Sequence, residues 1–122
     1  MLGKGESVWL SEATVKAAKE LAEILVKIDR SEAAAEILEK AEIMQKNIIK
    51  SGWDKDHFIY GINDIGEKIG SYESAEGQIY LNSQTWAVMS GLAEGEKAMS
   101  VMQLVADKLK CPFVCSKRSE LF

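Results

Sequence analysis

The sequence predicts a mainly α fold: antiparallel helical hairpins forming part of an (α/α) toroid or solenoid, with a small β-hairpin insertion. Three observations support this. Apolar residues recur at spacings of three and four over two long stretches before residue 52, and the same spacing returns twice after residue 81. Between them, residues 53–71 change to short β-type runs and turn chemistry. The helix pair thus occurs on both sides of the insertion, a repeat that suits a ring or solenoid better than a closed bundle.

The first helix is expected over about 7–29, with Leu10, Ala13, Ala17, Leu21, Ile24, Leu25 and Ile28 as one apolar stripe. Ser7 stands where an N-cap belongs. After the Asp29-Arg30-Ser31 break, a second helix over about 32–51 carries Ala34, Ile37, Leu38, Ala41, Met44 or Gln45, and Ile48. Gly52 is placed to end it in the left-handed conformation. So short a connection forces antiparallel packing. Phe58-Ile59-Tyr60 reads as a strand, Asn63-Asp64-Ile65-Gly66 as a turn and Lys68-Ile69 as the return, giving a hairpin over about 57–70 that decorates a helical body. A third helix follows over about 82–92, with Gly91 near its end. A fourth, over about 96–110, carries Ala98, Met102, Val105 and Leu109 and stops at Pro112. Met89, Met99 and Met102 read as core, and Trp9 and Trp53 as packing. Residues 1–110 form one unit and 111–122 a tail.

At 122 residues, 47% apolar and 28% charged, the composition is that of one soluble globular domain. A net charge of -4 with no basic stripe argues against a nucleic-acid surface. No apolar run approaches the roughly 20 residues that span a bilayer, and the N-terminus lacks a signal pattern, so no membrane association and a cytoplasmic location are expected. Cys111, Cys115 and the single His57 fall short of the four ligands of a structural zinc site, so no metal is expected. The two thiols read as reduced. His57, in a turn beside charged residues, reads as a solvated surface group.

Residues 76–91, EGQIYLNSQTWAVMSG, hold the candidate site. Glu76, Gln78, Asn82, Gln84 and Trp86 alternate with Ile79, Leu81, Ala87, Val88 and Met89. Amides and carboxylates suit sugar hydroxyls, and an indole face suits sugar C–H bonds. A buried helix start whose polar groups are satisfied by backbone is the competing reading, and for Trp86 it is simple packing. Glu6 and Ser7 stand in the same balance: they face a saccharide, or Ser7 caps the helix while Glu6 favours its dipole.

Several segments together resemble glycoside hydrolase family 94, the cellobiose, cellodextrin and chitobiose phosphorylases. Gly3-Lys4-Gly5-Glu6-Ser7-Val8-Trp9-Leu10 is similar to the stretch after the family's catalytic carboxylate. Glu76 through Gly91 is similar to its EGxIxLxxQTWAVxSG segment. Gly52-Trp53-Asp54 with Phe58-Ile59-Tyr60-Gly61 resembles its tryptophan-aspartate run, and Gly66-Glu67-Lys68-Ile69-Gly70-Ser71 its hairpin return. The matches cover about residues 3–110 in one register, and their order makes them more specific than any one alone. After Lys110 the run Cys111-Pro112-Phe113-Val114-Cys115-Ser116-Lys117-Arg118 departs from the pattern.

The resemblance implies a fragment of an (α/α)6 catalytic domain that performs inverting phosphorolysis of β-glucosidic disaccharides or oligosaccharides, yielding an α-sugar 1-phosphate. Phosphate is then a co-substrate, a β-linked glucosaccharide is the partner, and no cofactor or metal is implied. Glu6, Ser7, Glu76, Gln78, Gln84 and Trp86 are the substrate-binding candidates. The family's general-acid aspartate and its phosphate-holding groups match nothing in this sequence, so no catalytic residue is assigned and the chain alone is expected to be inactive. The wording around Gln84 leans toward glucosides over N-acetylglucosaminides. The alternative is a non-catalytic helical module or subunit that works by homo-oligomerisation through exposed apolar helix faces, or by association with a partner.

Overall fold

The computed structural model describes residues 3–110. Its order is β1 (Glu6–Ser7), α1 (Val8–Lys27), α2 (Ser31–Gly52), β2 (Trp53–Asp54), β3 (His57–Phe58), β4 (Gly61–Ile62), β5 (Lys68–Ile69), α3 (Leu81–Ser90) and α4 (Gly95–Leu109). The protein is thus mainly α, with a small antiparallel β insertion. Helix α1 packs on both α2 and α3, and α4 packs on α3. Among the described residues, no helix is long and apolar enough to cross a membrane. The expected tail, with Cys111, Pro112 and Cys115, lies outside the described residues.

Ser7 caps α1 as its position suggests, its Oγ accepting from Leu10 N at 3.4 Å. The face that α1 buries is not the expected one. Val8, Glu12, Val15 and Ala22 are buried, whereas Leu10, Leu21, Ile24 and Ile28 are 46–60% exposed. At 3.6 residues per turn these two faces lie about 200° apart. Helix α1 is apolar on opposite sides, and Glu12 on the packed side made the other look like the core stripe. Asp29 makes the tight connection to α2 with φ +59, a conformation its short polar side chain tolerates.

On α2, Ala34, Ala41 and Ile48 are buried seven residues apart, and Met44 packs against the core. Gly52 corrects the expectation for its end: it is the last helical residue, outside the left-handed region, and extended Trp53 follows it. Its lack of a side chain serves close packing, because a Cβ there would lie 3.0 Å from Val8 Cγ1.

The insertion is two hairpins instead of one. β2 pairs with β3 around a two-residue turn in which Lys55 has φ +65, and β1, β4 and β5 form a separate antiparallel sheet. Phe58-Ile59-Tyr60 is therefore divided: Phe58 turns back onto Trp53, while Tyr60 N donates to Ile69 O at 2.7 Å. Nor is the insertion decoration. Phe58 and Ile59 are fully buried and join Val8, Val15, Ile48, Ala87, Leu92 and Ala93 in one core.

Gly91 ends α3 in the left-handed conformation, φ +79, with Leu92 N donating to Ala87 O at 2.9 Å. On α4 the buried residues are Val101 and Val105. The methionines expected in the core stand outside it: Met89 is 48%, Met99 75% and Met102 37% exposed. The short valine seam faces the molecule and leaves the longer thioethers on the outer sides of the helix.

Candidate functional site

Strand β1 separates two clefts. The larger, about 440 Å3, lies against the β1–β4–β5 sheet and its β4–β5 turn and is lined by Glu6, Ser7, Tyr60, Ile62, Asp64 and Ile69 among others. That volume falls within the roughly 300–1,000 Å3 of small-molecule sites. On the other side of β1, a cleft of about 340 Å3 presents Glu6, Ser7, Ser11, Met44, Asn47 and Ile62.

The first cleft is built by the turn that joins β4 to β5. Asn63 Oδ1 accepts from Ile65 N at 3.1 Å and Glu67 N at 2.8 Å, which braces the turn. Asp64 then reaches across, its Oδ1 accepting from Lys4 N at 2.7 Å and Gly5 N at 2.9 Å. Gly61 allows β1 to lie close, since a Cβ there would stand 2.6 Å from Glu6 O. Tyr60 packs on Tyr80 with ring centroids 4.7 Å apart. An exposed carboxylate at the rim, an aromatic ring and two isoleucines suit a ligand with hydroxyls on its edge and C–H bonds on its faces.

The six sequence candidates do not gather at one place. Glu6 and Ser7 share the first cleft. Glu76 is exposed in the loop before α3. Gln78 lines a third cleft, about 250 Å3, with Lys55, Asp56, His57, Tyr72 and Lys108, and its Nε2 donates to Tyr72 O and Ser74 O, each at 3.0 Å. Gln84 is fully buried: its Oε1 accepts from Phe58 N at 2.9 Å, and its Nε2 donates to Phe58 O at 2.7 Å and Tyr80 O at 3.1 Å. Trp86 is half-buried on α3.

His57 corrects the expectation of a solvated group. It is 3% exposed, with Nε2 2.8 Å from both Gly70 O and Gln78 O, and Nδ1 2.8 Å from Asp56 Oδ1. Gly70 O and Gln78 O are both acceptors, so Nε2 donates to them and ties the β2–β3 hairpin to the loops before and after Ser71. Its burial depends on contacts 13 and 21 residues away, for which a single sequence carries no local signal.

Three carboxylates also escaped the sequence reading. Asp54 is buried; burial alone would raise its pKa, but the Ser71 hydroxyl, the Tyr72 amide and the Lys68 ammonium together hold it below the usual range. Glu12 is the reverse case: burial pushes its pKa up to about 9, and among the described residues neither carboxyl oxygen has a hydrogen-bond partner. Asp64 alone carried a usable signal, its place in an Asn-Asp-Ile-Gly turn. Lys97 lies 3.8 Å from the Trp53 ring centroid, and burial lowers its pKa. Among the described residues, no three His, Cys, Asp or Glu side chains gather in a way that could hold a metal ion.

Comparison with known proteins gives this geometry a context. The family described as "Glycosyl hydrolase 94 superfamily, catalytic domain" matches residues 1–115. Solabiose phosphorylase of Paenibacillus borealis is 51% identical over 112 residues, which cover 91% of this chain and 15% of that protein. A 3-O-beta-D-glucopyranosyl-beta-D-glucuronide phosphorylase of the same organism is 33% identical, covering 92% of this chain and 14% of that protein. The N,N'-diacetylchitobiose phosphorylase of Vibrio proteolyticus is 30% identical over the same shares. The chain therefore spans about one-seventh of the length of these relatives.

Proposed function

This chain belongs to the glycosyl hydrolase 94 superfamily, within its catalytic domain, and on that basis we propose that it is a segment of a phosphorylase that cleaves a β-linked disaccharide with inorganic phosphate. The observation that carries the reading is the 51% identity to solabiose phosphorylase across nearly the whole chain. Solabiose is accordingly the first substrate to test, with β-glucosides such as cellobiose next.

In this reaction phosphate attacks the anomeric carbon from the face opposite the leaving sugar, whose bridging oxygen takes a proton from a general acid. Inversion gives an α-sugar 1-phosphate and a shortened acceptor. Phosphate is already an anionic nucleophile, so no second carboxylate has to activate water. Within this reading the four helices are part of an (α/α)6 ring and the cleft at Glu6 and Ser7 is a stretch of saccharide wall. Glu76 and Gln78 belong to a neighbouring surface, and Gln84 and Trp86 support α3 behind it. The site of action is the cytoplasm, since an ionised sugar phosphate does not cross a bilayer unaided.

The chain spans 15% of its solabiose-cleaving relative, and we take it to be inactive alone. The test is phosphate-dependent release of sugar 1-phosphate from solabiose, cellobiose and diacetylchitobiose. A longer protein carrying this segment is expected to release it and the purified 122-residue chain is not. Release by the chain alone, or by neither, contradicts the proposal.

A second reading has its own observation. Leu10, Leu21 and Ile24 on α1, with Ile28 just past its end, form an exposed apolar face opposite the packed one. Such a face favours association, with other copies or with a partner subunit. Light scattering separates the two readings: a concentration-dependent oligomer supports a self-associating module, and a strict monomer at high concentration contradicts it.

A further inference from the structure

We propose that Asp64 is the positioning residue of the cleft against the β1–β4–β5 sheet, fixing the rim of residues 3–6 and so setting where Glu6 meets a neutral saccharide. This rests on the reading of that cleft as a sugar wall.

The rim has little conformational preference of its own. Gly3 and Gly5 flank Lys4, and Gly3 sits at φ +68, a region glycine enters freely. Among the described residues, the strand pairing that residues 3–7 make is the two-residue match of Glu6 with Ile62 and Ser7 with Gly61. What selects one conformation is a carboxylate about 60 residues away: Asp64 Oδ1 accepts from two consecutive amides, Lys4 N at 2.7 Å and Gly5 N at 2.9 Å. Hydrogen bonds to an ionised acceptor are roughly twice as strong as neutral ones. The base of this clamp is rigid, because Asn63 Oδ1 holds Ile65 N and Glu67 N, and Gly66 N donates to Asn63 O at 3.0 Å.

Glu6 is the next residue along the rim, exposed and lining the cleft. Small rotations at Gly5 swing its carboxylate. A sugar hydroxyl needs an acceptor within about 3 Å along a favourable direction, so loss of the clamp misplaces Glu6 without removing it. Gly5 is also where a side chain would crowd this approach, since a Cβ added there would lie 3.2 Å from Ile62 O.

The experiment is amide NMR of the 122-residue chain, titrated with solabiose, for wild type, Asp64→Ala and Asp64→Asn. In Asp64→Ala, Lys4 and Gly5 amides are expected to exchange about tenfold faster, the solabiose-induced shift of Glu6 to fall several-fold, and helix amides to stay unchanged. Asp64→Asn keeps an oxygen acceptor at the same place without the charge, and both readouts are expected to fall between those of wild type and Asp64→Ala. Unchanged rim exchange, or an unchanged Glu6 response in Asp64→Ala, overturns the proposal and leaves the sugar-wall reading standing. No solabiose response in wild type, with rim exchange still dependent on Asp64, overturns the sugar-wall reading and the positioning role with it.

Discussion

Gln84 grips both main-chain polar groups of Phe58, accepting from its N–H at 2.9 Å and donating to its carbonyl at 2.7 Å. An amide side chain thereby replaces the neighbouring strand that β3 lacks on this side. It ties the insertion to α3 at the point where Phe58 enters the core. Gln84→Ala strands two buried backbone groups and is expected to cost about 2–4 kcal/mol in urea unfolding. A loss below about 1 kcal/mol would show that the clamp is dispensable.

Glu12 predicts an unusual pH dependence. Its folded pKa, about 9, lies above the ordinary 4.5, so folding takes up a proton between those values. The stability it contributes is fully present below pH 4.5 and is lost as pH rises toward 9, by up to about 1.4 kcal/mol per pH unit. No titratable residue lies on α3, and the buried positions of α2 are Ala34, Ala41, Ile48 and Gly52, so neither supplies a compensating charge. Glu12→Gln is expected to flatten the profile and stabilise the protein at neutral and alkaline pH. Equal slopes for the two proteins would contradict this.

Asp54 gives the opposite sign at the acid end. With its folded pKa held below the ordinary 3.8, its contribution is present above that value and lost as pH falls through the lower folded value. Acid unfolding of Asp54→Asn is expected to be less steep than that of wild type, with lower stability at pH 7. An unchanged acid limb would assign the lost protection to other carboxylates.

Gly61→Ala tests how closely β1 must approach. The added methyl would stand 2.6 Å from Glu6 O, and backbone cannot yield as a side-chain tip would. Loss of the β1–β4 pairing, faster exchange at Ile62 and a cost of about 1–3 kcal/mol are expected. Wild-type exchange at Ile62 would mean that the sheet tolerates the methyl.

The four helices were legible because periodic apolar spacing is local, as were the Ser7 cap and the place of Gly91 near the end of α3, whereas the left-handed ending expected of Gly52 is found at Gly91. What periodicity could not choose was the side of α1 that packs, since Leu10, Leu21 and Ile24 make as good a stripe as Val8, Val15 and Ala22. The deciding information is tertiary: α2 and α3 both lie on the second face. The same holds for Gly52, whose role is set by Val8, 44 positions earlier in the chain. His57 and Gln84 were misjudged or left open for one reason. Their partners, Gly70, Gln78 and Phe58, are brought to them by the doubled hairpin, and nothing beside them in the sequence announces it. Of the candidate cleft, Glu6 and Ser7 stand together because they are neighbours in the chain, whereas the clamp from Asp64 spans about 60 residues and is visible only in three dimensions.

A chain that does the work of the corresponding segment in a disaccharide phosphorylase can stand in that segment's place. Exchanging it for the matched 112-residue segment of the Paenibacillus borealis solabiose phosphorylase and measuring phosphate-dependent cleavage of solabiose tests that directly. Activity within about tenfold of the parent enzyme, a loss of roughly 1.4 kcal/mol of transition-state stabilisation or less, is expected. A chimera that folds like the parent and releases no sugar 1-phosphate would show that this chain cannot take that segment's part in phosphorolysis.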